Sequence, residues 1–212
     1  MQVCNNTSDR LQRHVCQYFT EIIVQHAPDE ELDDIRKAHE LVKQLNKSCP
    51  SLLHLVIPQL EEELRVEDLS LRTMATHTLG EMFADKGGTD LVRKYPTTWN
   101  FWNLRRNDKS PAVRLAFVEA TRGILVGLPE QRDFIEGLWS SLFSCSPATE
   151  VHMWSSEALN AKSLDPDEKV RAAVCKLYSQ FDYETALHHV SELQLRRVAE
   201  RGLDKKVTSP YL

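Results

Sequence analysis

Asp108-Lys-Ser-Pro-Ala-Val-Arg114 and Asp165-Pro-Asp-Glu-Lys-Val-Arg171 decide how this chain reads: twice an aspartate is followed six positions later by an arginine that sits behind a valine. Each copy joins two amphipathic helical stretches. A looser third copy ends at Leu71-Arg72, so 42 positions separate Arg72 from Arg114 and 57 separate Arg114 from Arg171. That is the period of a helical repeat and then the same period with an insertion of roughly 15 residues. The pattern predicts an all-α fold, a HEAT-repeat α-solenoid of stacked helical hairpins, whose usual work is to present a long surface to other macromolecules.

Working outward from the two turns, the apolar spacing lays out the hairpins. After Arg114, the residues Phe117, Ala120, Ile124 and Leu125 fall at offsets 3, 6, 10 and 11; after Arg171, Val174, Leu177 and Phe181 fall at 3, 6 and 10. Two separate segments therefore bury the same helical face. Upstream of the first turn, Trp99, Phe101, Trp102 and Leu104 mark the partner helix, which gives hairpins at about 97–127 and 147–182.

An earlier hairpin at about 50–85 pairs Leu52 to Leu64, with a bend expected at Pro58, against Leu69 to Phe83, which turns Ala75, Leu79, Met82 and Phe83 inward. Asp85-Lys86-Gly87-Gly88 follows as a turn. The first hairpin, about 7–47, sets Leu11, Val15, Tyr18, Phe19, Ile22 and Ile23, with Thr7 or Ser8 as N-cap, against Leu32, Ile35, Leu41, Val42 and Leu45. Asp29 to Asp34 loads the start of the second of these helices with the negative charge its dipole favours.

Residues 129–155 read as the insertion, with one helix through Phe134, Leu138 and Phe143. From 183 to 212 a further hairpin begins. Leu203-Asp204 repeats Leu164-Asp165, and Ser209-Pro210 takes the place of the next Val-Arg, so the sequence is expected to be a piece of a longer solenoid treated as one segment.

A net charge of -5 argues against a protein that coats nucleic acid, since nonspecific binding rests on neutralising several phosphates. No apolar run reaches the 18 or so residues of a membrane span, and no secretory leader is visible, so no membrane partner is expected. Cys4, Cys16, Cys49, Cys145 and Cys175 are odd in number and never form a Cys-x-x-Cys pair, which fits a reducing compartment and suggests neither disulfides nor zinc.

Several stretches together carry a resemblance: Ser51-Leu-Leu-His-Leu-Val-Ile-Pro-Gln-Leu-Glu-Glu-Glu-Leu64, Met82-Phe83, Trp99 through Asp108, Pro111-Ala-Val-Arg-Leu115 and Leu203-Asp204-Lys205-Lys206. In order and approximate spacing the chain resembles the N-terminal half of the precocious-dissociation-of-sisters (Pds) family of sister chromatid cohesion regulators. It departs from that family at the insertion and at the tail Val207 to Leu212. The resemblance implies a noncatalytic adaptor of the nucleus, associated with chromosomes. It implies that the adaptor binds the cohesin kleisin subunit and works with the wings-apart-like release factor and the cohesin acetyltransferase. It also implies an inositol polyphosphate as the one small ligand to consider, and no cofactor otherwise.

For sites, Arg72, Arg114 and Arg171 with Asp108 and Asp165 read as a structural ladder of inter-helical turns. Arg93, Lys94, Arg105, Arg106 and Lys109 form a basic run beyond what one ladder needs, the candidate partner-binding surface for acidic segments or, as the resemblance implies, an inositol polyphosphate. Trp99 and Trp102, three apart on one helix face, would add an aromatic anchor if exposed and core if buried. Arg196, Arg197, Arg201, Lys205 and Lys206 make a second basic patch that is either a solvated face or a docking surface.

Catalysis is poorly supported. The eight histidines include no His-x-x-x-His pair, and no Gly-x-Ser-x-Gly or phosphate loop occurs. The adjacent His188 and His189 point to two faces of a helix, so no metal site is expected. Two alternatives to the cohesin scaffold stay open: a HEAT adaptor of another assembly, such as a transport or phosphatase scaffold, and a helical repeat that binds nucleic acid.

Overall fold

The computed structural model describes residues 2–24, 32–126 and 161–181, together with Glu192, Leu195, Arg196, Ala199 and Glu200. Among the described residues every regular element is helical. The chain divides into two compact units, residues 1–105 and 106–212. The sequence marks no boundary at this point. The division falls within the hairpin read at about 97–127, where the short connection between its two helices has no linker composition.

In the first unit, α1 (Gln2–Val24) and α2 (Leu32–Ser48) precede a short 3-10 turn, Pro50–Leu53. They are followed by α3 (Ile57–Glu63), α4 (Leu69–Ala84), α5 (Gly88–Lys94) and α6 (Pro96–Leu104). The core is apolar at helical spacing: Ile35, Ala38 and Val42 of α2, Ile57 and Leu60 of α3 and Ala75, Leu79 and Phe83 of α4 are all within 1% of full burial. α2 packs against α4 and the 3-10 turn, and α3 against α4 and α6.

Three details differ from the sequence expectation. α1 begins at Gln2, so Thr7 and Ser8 lie within the helix and do not cap it. Pro58 does not bend a continuous helix. The chain makes a 3-10 turn, and Pro58 then sits in the first turn of α3, where its missing N–H would have had no helical acceptor. After the turn at Asp85–Gly87 the chain forms the extra short helix α5. Gly88 opens that helix against the α4 backbone: a Cβ on it would lie 1.9 Å from the Phe83 carbonyl oxygen. Glycine is needed there for close approach, which composition does not reveal.

In the second unit, α7 (Pro111–Val126) packs on α8 (Glu168–Tyr178). Val118 and Leu125 of α7 meet Val170, Val174, Leu177 and Tyr178 of α8, with Phe181 packed at the edge. The offsets read from the arginines hold in space. Phe117, Ala120, Ile124 and Leu125 are buried, as are Val174 and Leu177. In α4 the same offsets from Arg72 carry Ala75, Thr78, Met82 and Phe83, all buried. The proposed insertion at 129–155 and the hairpin start at 183–212 fall on residues outside the described ones, apart from the five named above.

Candidate functional site

The three arginines perform one local task. Each places Nη1 over the two carbonyls that open its own turn: Arg72 on Val66 and Glu67 at 2.6 and 3.1 Å, Arg114 on Asp108 and Lys109 at 2.9 and 3.2 Å, and Arg171 on Asp165 and Pro166 at 2.9 and 3.0 Å. A planar fork on a long stem suits the job, because one guanidinium can satisfy two acceptors that the turn strands near the core.

The aspartate of each full copy closes the same turn from the other side. Asp108 accepts from the Ser110 amide at 2.9 Å, and Asp165 from the Asp167 amide at 3.0 Å. In the looser copy Val66 occupies the aspartate position.

In the second unit the ladder has a rung. Arg114 donates through Nε and Nη2 to Asp165 Oδ2 and Oδ1, both at 2.8 Å, and Lys162 Nζ lies 3.5 Å from Oδ2. Burial pushes the Asp165 carboxyl upward. The Arg114 hydrogen bonds, the Asp167 amide and the nearby cations outweigh it and hold the group below the usual carboxylate range. These five ladder residues bind parts of the protein itself, which is a structural use.

The basic and aromatic run divides on inspection. Trp99 and Trp102 are wholly buried, stacked at 5.2 Å and packed edge-on to Phe83 at 4.9 and 5.5 Å, and Trp102 Nε1 donates to the Thr76 carbonyl at 2.8 Å. They are core, so the aromatic surface anchor does not exist. This face of α6 packs onto α3 and α4. Phe101 carries the Arg65 guanidinium 3.7 Å above its ring.

Arg93 and Lys94 are exposed in the last turn of α5, where cations suit the helix C-terminus. Lys94 Nζ lies 2.9 and 3.1 Å from the two ring nitrogens of His54, and His54 Nδ1 lies 2.7 Å from the Tyr95 hydroxyl. Burial, then the Lys94 charge, lowers the His54 pKa, which keeps the ring neutral beside the ammonium. Arg105 is half-buried in the first unit. In the second unit Arg106 is half-buried and burial lowers its pKa, while Lys109 is exposed. Of the second patch, Arg196 is exposed and paired with Glu192 at 3.2 Å; Arg197, Arg201, Lys205 and Lys206 lie outside the described residues.

A cluster that the sequence reading missed lies inside the first unit. His39 Nδ1 is 3.0 Å from the Thr78 hydroxyl and Nε2 is 3.1 Å from Glu63 Oε2. A hydroxyl, an imidazole and a carboxylate in line suggest nucleophilic chemistry. All three are 4% exposed or less, so no substrate reaches Thr78. The signal was present in the sequence: Thr78 holds the offset that Ala120 and Leu177 occupy in the other copies. Among the described residues no group of three or more His, Cys, Asp or Glu is arranged to hold a metal, and no helix is long and apolar enough to cross a membrane.

The family model described as sister chromatid cohesion protein PDS5 matches residues 1–208. The chain is 33% identical over 210 residues to the sister chromatid cohesion protein pds5 of Schizosaccharomyces pombe, covering 97% of this chain and 16% of that protein. It is 29% identical over 127 residues to PDS5 of Saccharomyces cerevisiae, covering 58% of this chain and 10% of that protein. Among solved structures, a chain from a Pds5–Scc1 complex superposes with a TM-score of 0.72 at 22% identity, over 96% of this chain and 28% of that one. That likeness places the fold among the HEAT-repeat α-solenoids. The chain thus spans a small fraction of the length of the relatives it matches.

Proposed function

Since this chain belongs to the PDS5 family of sister chromatid cohesion proteins, we propose that it is a noncatalytic scaffold segment of the cohesin machinery. In this reading it binds the kleisin subunit and works with the wings-apart-like release factor and the cohesin acetyltransferase to regulate sister chromatid cohesion in the nucleus, on chromosomes. The observation that carries the reading is the family match across nearly the whole chain. The solved neighbour, a Pds5–Scc1 complex, supports a protein partner for repeats of this family.

The physical layout fits a scaffold. The conspicuous arginines and aspartates are spent on holding turns, and the Thr78–His39–Glu63 line is sealed from solvent. Of the basic run read from the sequence, Arg93 and Lys94 in the first unit are exposed, as is Lys109 in the second. Arg93 and Lys94 are the groups we assign to acidic stretches of a partner; an inositol polyphosphate would use the same exposed guanidinium and ammonium.

The test is fluorescence anisotropy with a labelled kleisin segment, and in parallel with a labelled DNA duplex, at physiological salt. The scaffold reading expects saturable binding of the kleisin segment and weak, steeply salt-dependent binding of DNA. Preferential binding of the duplex would replace the reading with a nucleic-acid module.

A further inference from the structure

Thr78, His39 and Glu63 put three polar side chains where the repeat pattern otherwise uses hydrocarbon. The equivalents of Thr78 in the other copies are Ala120 and Leu177, so the stack does not need a hydroxyl at this offset. The line joins three elements: Glu63 closes α3, His39 lies on the buried face of α2 with Ile35 and Val42, and Thr78 faces them from α4. Phe19 of α1 sets its ring edge-on to His39 at 5.4 Å, so hydrocarbon covers the imidazole from the fourth side. His39 and Glu63 thus tie the first hairpin to the second.

Several other charges on these helices pair with one another or with neighbouring side chains. Lys43 pairs with Glu40 at 2.7 Å and Glu81 at 3.0 Å; Lys37 pairs with Asp33 and Asp34; Glu62 pairs with Arg65; and Glu61 accepts from Thr97 and Thr98. The charge that bears on Glu63 among the described residues is His39. The Nε2–Oε2 approach of 3.1 Å is a close charge contact without the alignment of a good hydrogen bond, and Glu63 Oε1 has no partner among the described residues. The carboxyl is therefore poorly compensated as an anion, and burial raises its pKa against the opposing pull of His39.

We propose that the His39–Glu63 pair is a proton-dependent clasp between the first two helical hairpins. It holds α2 against α3 and α4 while the pair carries one dissociable proton and no net charge, and it loosens as rising pH removes that proton. With the proton present the pair is imidazolium with carboxylate or imidazole with carboxylic acid, neutral as a unit either way. With the proton gone a single negative charge remains in the core. The sign follows. A carboxyl whose folded pKa lies above its unfolded value contributes stability that is complete below the ordinary carboxylate pKa, about 4.3 for glutamate, and that is lost as pH rises through the raised value.

Glu63→Gln tests the clasp, since the amide keeps the shape and cannot titrate. Urea unfolding of the 212-residue chain and of E63Q would be compared between about pH 5 and pH 9, read as the ratio of wild-type to E63Q unfolding constants. The clasp predicts that this ratio climbs with pH, by up to about tenfold per pH unit within the titration window. A ratio that does not change with pH would overturn it. Should E63Q fail to fold, the carbon-13 resonance of the Glu63 carboxyl in the wild-type chain decides the matter. A titration midpoint well above the ordinary glutamate value supports the clasp, and an ordinary or lower midpoint refutes it.

Discussion

Replacing Arg114 with alanine removes the ladder rung to Asp165, and the cost can be worked from its geometry. The arginine is 12% and Asp165 2% exposed at the side chain, and two bonds of 2.8 Å join them in a fork. Truncation strands a nearly buried carboxylate, left with the Asp167 amide and Lys162 at 3.5 Å, and it also uncovers the Asp108 and Lys109 carbonyls. Breaking a buried pair from one side costs about 3–5 kcal/mol. Partial compensation by Lys162 favours the lower end, about 3 kcal/mol, or more than a hundredfold in the unfolding constant.

The assay is urea unfolding followed by far-UV circular dichroism, with hydrogen exchange of the α7 and α8 amides to localise the loss, because repeat proteins can open segment by segment. At a slope near 2 kcal/mol per molar, the midpoint falls by about 1.5 M. Arg114→Lys keeps the charge and loses the fork, so it recovers less than half of this.

The pH dependence gives a second reading. Asp165 is held below its ordinary range, so the stability it contributes is present above about pH 3.9 and disappears as pH falls through the lowered value. R114A should lose most of that acid limb. A loss below about 1 kcal/mol, with the acid limb unchanged, would refute the claim that the rung holds α7 to the turn before α8.

Gly88→Ala should destabilise the chain by about 1–3 kcal/mol although alanine favours helix, because the new methyl meets the Phe83 backbone; a gain in urea midpoint would contradict the packing. Trp102→Phe should cost about 2 kcal/mol, from the lost indole N–H bond to the Thr76 carbonyl and the void beside Phe83, read in the same unfolding assay. Charge reversal of Arg93 and Lys94 together should cost no more than about 1–2 kcal/mol, the loss of helix-terminal charge interactions at two exposed sites; a folding defect would return them to a structural role.

The architecture was legible because one signal repeats. The offsets from Arg72, Arg114 and Arg171 select the buried face of three helices, and the six-residue turn fixes where each arginine caps its own carbonyls. The surface was less legible. Trp99 and Trp102 share a face, but spacing alone does not say whether that face meets solvent or α4; the close approach at Gly88 and the extra helix α5 decide it. Pro58 was read as a bend, and its first-turn position at α3 depended on a preceding 3-10 turn that periodicity does not encode. His39 and Glu63 lie 24 positions apart and meet only through tertiary packing, so no local motif announced them.

The most direct measurement is isothermal titration of the folded chain with a kleisin segment at physiological salt, alongside the Arg93→Glu, Lys94→Glu double variant. The account predicts saturable binding by the wild-type chain, weakened at least about tenfold, or 1.4 kcal/mol, in a variant that keeps its helicity and its cooperative unfolding. Absence of saturable heat from a well-folded wild-type chain, or full affinity in the charge-reversed variant, would contradict it.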